Sequence, residues 1–133
     1  MIEGDIMKGV SKGNVEDLYN EKNNGWFIGH FVDDDPFRQT GNVGAKWKKH
    51  QPGEEGESFE ADHSARSISI LVEGAFEFEF RRGEETEKVL LERRGDYVIW
   101  LPNVPHQGSA RKPNTIVITL RWPSTHGDHY DVT

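Results

Sequence analysis

Cysteine is absent from the 133 residues, which removes disulfide frameworks, thiol nucleophiles and thiolate metal sites from consideration. Long apolar runs are also missing. No stretch approaches membrane-spanning length, and the opening residues MIEGDIMKGVSKGN lack the apolar core of a signal peptide, so the cytoplasm is the expected compartment. Positive charge is in deficit: 16 Lys and Arg against 23 Asp and Glu leave a net charge of −7. An acidic chain repels phosphate backbones and anionic headgroups, so neither nucleic acid nor a membrane surface is an expected partner. The glycines at 41, 44, 53 and 56 form no phosphate-binding loop, and neither a GxSxG nucleophile elbow nor an HExxH zinc motif occurs.

Helical periodicity is confined to the start. Asn14 is placed to cap a short helix running through Leu18 to about Lys22, with Glu16 and Asp17 near its positive end, and Asn23, Asn24 and Gly25 stop it. Beyond it come short segments rich in aromatic and β-branched residues: 26–32, 43–50, 67–72, 75–80, 87–92, 97–101 and 115–122. Strands at near-regular spacing without intervening helices predict an all-β sandwich or barrel. The expected organisation is an arm and short helix over 1–25, a barrel over 26–123 and a flexible tail over 124–133. Alternation gives the strands faces. Phe76, Phe78 and Phe80 oppose Glu77 and Glu79, and Ile68, Ile70 and Val72 oppose Ser67, Ser69 and Leu71; this second set lines either a polar cavity or a solvent face.

Two segments resemble the paired motifs of the cupin superfamily. In the first, Gly74 matches the closing glycine and His63 the second histidine, while Ala61 and Ser67 stand at the first histidine and the glutamate; Gly56 is the opening glycine, one residue off the usual interval. In the second, GDYVIWLPNVPH, Gly95 opens the motif, Leu101 and Asn103 take the proline and glycine places, His106 falls on the histidine, and Ala110 replaces the asparagine. Pro102 and Pro105 keep the turn proline-rich and its histidine held. The resemblance covers roughly residues 43–122. It implies a single cupin-type jelly-roll β-barrel with a pocket holding His63 and His106 as metal ligands or as an acid–base pair.

That resemblance also implies one divalent metal ion, with Fe, Mn, Zn and Ni not distinguished, or none. Two histidines fall short of the three protein ligands of an open catalytic site. A third is sought in His50, Gln107 or His30, or in Glu60 and Asp62 if the first motif slips by one residue. Lys46, Lys48 and His50 share one face of a strand, as cations for a ligand carboxylate or phosphate or as a solvated edge. Tyr97 and Trp100 fall on opposite faces, so one of them lines the cavity, with Tyr97 a candidate acid. Arg121 either clamps an anionic ligand or pairs with Glu77 or Glu79. The HGDHYD stretch at 126–131 looks like a metal cluster but reads as a frayed tail. The expected function is an enzyme of isomerase, lyase or dioxygenase type acting on a polar sugar or carboxylate, with His63, His106 and Tyr97 catalytic and Lys46, His50, Ser67, Trp100, Gln107 and Arg121 binding. The alternative is a metal-free binding or sensing module without turnover. A homodimer closing over Ile68, Ile70 and Val72 is expected in either case.

Overall fold

The computed structural model of the chain describes residues 5–54 and 58–132; Gly56 lies outside them. The strands are β1 (Asp5–Met7), β2 (Val10–Ser11), β3 (Trp26–Ile28), β4 (Gly44–His50), β5 (Phe59–Asp62), β6 (Arg66–Glu73), β7 (Phe76–Arg82), β8 (Glu85–Leu91), β9 (Tyr97–Trp100), β10 (His106–Ala110), β11 (Thr115–Trp122) and β12 (His129–Val132). The expected N-terminal helix is only a 3₁₀ turn, Val15–Leu18. Asn14 does cap it, its Oδ1 accepting the Glu16 N–H at 2.9 Å. With no buried residue in the turn, there is no packing to carry the helix further.

Two antiparallel five-stranded sheets face each other, one ordered β12-β5-β10-β7-β8 and the other β3-β4-β11-β6-β9. Period-two alternation decides what lies between them. Phe76 and Phe78 of β7 pack with Leu71, Leu91, Trp100, Ala110 and Val117 as a buried cluster, joined by Phe80. Ser67, Ser69 and Leu71 point inward at 2%, 1% and 1% exposure, so the serine-bearing side of β6 is the cavity face. Gly74 and Gly95 turn the chain with φ of +89° and +92°, a region that favours glycine.

Residues 124–132 of the expected tail are built into the fold. Ser124 and Asp128 are buried, and β12 lies against β5 in the register His129↔Asp62 and Asp131↔Glu60. Polar contacts hold it there. The Asp128 carboxylate accepts the Ser64 and Ala65 N–H groups at 2.7 and 3.0 Å, and the Tyr130 hydroxyl donates to Asn103 Oδ1 at 2.9 Å. No helix among the described residues is long and apolar enough to cross a membrane.

Candidate functional site

The two sheets enclose a cavity of about 740 Å³ that the core cluster closes at one end. Alternation aims three groups of side chains into it. β4 supplies Lys46, Lys48 and His50; β6 and β11 supply Ser67, Ser69, Thr119 and Arg121; β5, β10 and β12 supply Glu60, Asp62, His106 and His129. The Ser69 and Thr119 hydroxyls share a 2.7 Å hydrogen bond within this lining.

His129 is clamped by two carboxylates. Its Nδ1–H donates to Asp62 Oδ1 at 2.9 Å, and its Nε2 lies 3.3 Å from Glu60 Oε2. The bonds to Asp62 and then Glu60 outweigh burial and push the imidazole up to about 9, so it is an imidazolium at neutral pH. Glu60 is held below its usual value, first by its bond to His129. At Asp62, burial alone would raise the carboxyl, but the His129 bond and the nearby positive charges prevail and lower it.

His106 is in the opposite state. Burial lowers it, against the raising effects of its Nδ1–H···O=C bond to Val104 (3.2 Å) and the Asp62 and Glu60 charges. The imidazole is therefore neutral, with Nδ1 protonated and Nε2 left as the basic nitrogen. Its ring packs on Trp100, centroids 4.6 Å apart. His50 is neutral as well: burial first, then Lys46 and Lys48, hold it down at about 3. On the facing wall, the Arg121 guanidinium lies 3.9 Å above the Trp26 ring, with Lys46 Nζ at 5.6 Å.

Several expected site residues meet here: His106, Lys46, His50, Ser67, Trp100 and Arg121 all line the cavity. Gln107 borders it, but its amide donates to Glu79 at 3.4 Å, in step with their facing register. Arg121 does not pair with Glu77 or Glu79; Glu77 is taken by Arg111. The pairing of His63 with His106 is not realised. His63 is exposed, one residue past the inward-facing Asp62, and its ring stacks on Tyr130 at 4.1 Å. Tyr97 is 61% exposed on the outer face, opposite in phase to Trp100. The slipped alternative describes the structure: Glu60 and Asp62 occupy the inner face of β5. His129 was missed because its segment carries no apolar signal. The hint was two carboxylates two residues apart on a half-buried strand, which require a cation.

These donors do not fit a divalent ion as they stand. Both carboxylates are turned onto His129, whose two ring nitrogens face them rather than a common centre. Among the described residues no group of three His, Asp or Glu side chains is arranged to hold a metal.

No protein-family model matches the chain, and no curated protein matches it in sequence. Its fold, however, is shared. An uncharacterized conserved protein with a double-stranded β-helix domain from Klebsiella pneumoniae superimposes with a TM-score of 0.64 at 15% identity, over 92% of this chain and 96% of that one. A 3,4-ketoisomerase from Thermoanaerobacterium thermosaccharolyticum, in complex with TDP, gives 0.59 at 12% identity over 77% and 72% of the two chains. Hydroxypropylphosphonic acid epoxidase from S. wedmorenis gives 0.52 at 17% identity over 61% of this chain; the match spans 44% of the epoxidase. Two facing antiparallel sheets around a polar cavity, matched nearly end to end by a double-stranded β-helix protein, give this chain the cupin fold.

Proposed function

We propose that the cavity is the active site of an isomerase- or lyase-type enzyme that moves a proton on a polar sugar or carboxylate metabolite. One observation carries this reading: two imidazoles flank β5 in opposite protonation states, His106 neutral and His129 protonated. Environments that split the titration of paired groups assign a base and an acid. In this reading His106 Nε2 removes a proton from the carbon beside a carbonyl. The Lys46 ammonium, on the facing wall, supplies the positive charge that stabilises the oxyanion formed as that C–H bond breaks, and the His129 imidazolium is the acid that returns a proton to it. Ser67, Ser69 and Thr119 orient hydroxyls of the ligand, and Trp100 fixes the plane of His106.

The test is proton exchange. In deuterated buffer, a panel of aldoses, uronates and 2-keto acids is followed by NMR for deuterium uptake at carbon. One or more members exchange with the wild-type protein, and His106→Ala slows that exchange by about 100-fold or more. Exchange that survives the substitution, or a panel showing none, removes the proposal. A second reading, a binding module without turnover, is favoured by the engagement of both His129 nitrogens, which leaves no N–H for a substrate.

The proposal includes a homodimer. The outer face of β9, β6 and β11 carries Tyr97, Ile99, Ile68, Ile70, Leu120 and Trp122, with Tyr97 61%, Ile99 49% and Trp122 38% exposed. A contiguous apolar sheet face of this kind is covered in a stable assembly, and a second copy is the simplest cover.

A further inference from the structure

A side cavity of about 290 Å³ adjoins the barrel cavity and shares Trp26, Arg121 and His129 with it. Its other walls include Lys22, His30 and Phe31. Among the described residues that line it there is no carboxylate, although the chain as a whole has an acidic excess.

Arg121 is built into this junction. It stands on β11 directly across from Gly44, where a Cβ would lie 3.0 Å from its Nε and 3.3 Å from the Trp26 ring. The missing side chain at Gly44 is what leaves room for the guanidinium over the indole, 3.9 Å from its centre. Among the described residues no hydrogen bond or ion pair engages this guanidinium; Asp62 and Asp128 act on it only from beyond ion-pair distance. Burial lowers it, yet an arginine stays charged throughout the accessible pH range. Five N–H donors in a rigid fork are thus held ready, with no carboxylate among the described residues of the side cavity and none paired to them. His30 adds a donor. The Ser124 hydroxyl accepts the His30 backbone N–H at 3.1 Å and sits 2.7 Å from its Nδ1. The ring is neutral, lowered by burial, Arg121 and His126, and in the tautomer that takes the Ser124 hydrogen on Nδ1 it offers its Nε2–H to the side cavity.

We infer that Arg121, on its Trp26 shelf, is an anion-binding subsite that takes the carboxylate or phosphate group of the ligand whose reacting part lies in the barrel cavity. Lys22 and the His30 Nε2–H complete the subsite. The inference rests on the barrel cavity being the ligand site, and it adds the chemical class: the substrate is an acid or a phosphate ester rather than a neutral sugar.

Sodium phosphate and sodium malonate, each titrated at constant ionic strength, are the probes. The reporter is the indole N–H signal of Trp26, assigned with Trp26→Phe. The wild-type signal shifts saturably with one or both anions. Phosphate alone indicates a phosphate ester, and malonate alone a carboxylate. Arg121→Gln abolishes the shift, and Arg121→Lys, which keeps the charge but loses the fork, weakens binding about tenfold. Lys22→Ala, at an exposed position whose fold is not at risk, weakens it severalfold. A Trp26 signal indifferent to both anions, or an Arg121→Gln protein that titrates like the wild type, overturns the subsite. His106→Ala leaves the titration intact. An absent anion shift alongside His106-dependent exchange therefore sinks the subsite alone, and a sound anion shift with no such exchange sinks the proposed chemistry alone.

Discussion

Replacing His129 by Gln removes one positive charge from between Asp62 and Glu60 while keeping a side chain able to donate a hydrogen bond. In the folded protein the imidazolium persists to about pH 9, against 6.5 for the unfolded group. At about 1.4 kcal/mol per pH unit that difference corresponds to roughly 3 kcal/mol if nothing screens it. The His129 side chain is 41% exposed, so solvent screening reduces the contribution to about 1–2 kcal/mol. Because the folded-state value is raised, the unfolded histidine loses its proton first. The stabilisation is therefore whole below about pH 6.5 and fades as the pH climbs through about 9. Urea unfolding of both proteins at pH 6, 8 and 10 measures it directly. The wild type is more stable by about 1–2 kcal/mol at pH 6, equivalent to roughly 3–10 °C in melting temperature, and the gap closes by pH 10. A gap of constant size from pH 6 to 10, or a His129 ring that titrates near 6.5 by NMR, would refute the clamp.

His50 sets the opposite limb. Its folded-state value of about 3 lies below that of the unfolded chain, which takes up a proton that the folded protein refuses; stability from this group falls as the pH drops from 6.5 towards 3. The slope is at most about 1.4 kcal/mol per pH unit, and His50→Asn flattens it in acid-denaturation curves. On the outer sheet face, Ile99→Lys places a charge amid the exposed apolar row and converts the proposed dimer to a monomer by light scattering. A wild-type protein already monomeric at micromolar concentration contradicts the dimer.

The fold was legible where burial is apolar. The phenylalanine alternation of β7 and the β-branched run of β11 announce their inner faces, and Gly74 and Gly95 mark turns that the structure closes with positive φ. Asn103, standing at a motif glycine, adopts φ +64°, which asparagine tolerates better than most residues, so the turn survives the exchange. The strands that carry the site were the least legible. β5, β10 and β12 are four or five residues long and rich in charge, histidine, glycine and serine. Their inner residues face a polar cavity, so the period-two signal that reveals a strand is muted at the very positions that matter for chemistry. One-residue phase errors then change everything: His63 points out because Asp62 points in.

Net charge bears differently on large and small partners. A large polyanion meets the whole surface at once and so feels the −7 balance. A small anion meets only one cavity, and field lines in a cleft follow the charges that line it rather than the sum over the chain. Here Lys46, Lys48, Arg121 and His129 all face inward, and the two inward carboxylates of β5 share a single imidazolium instead of opposing the guanidinium. His129 thereby does two things. It keeps Asp62 and Glu60 ionised, and it engages an oxygen of each while neither pairs with Arg121, so that the cation best shaped for a carboxylate or phosphate is left with its donors open. An acidic protein with cations in its cavity is thus no contradiction; most of the acids lie elsewhere, and the two on β5 are already answered by His129.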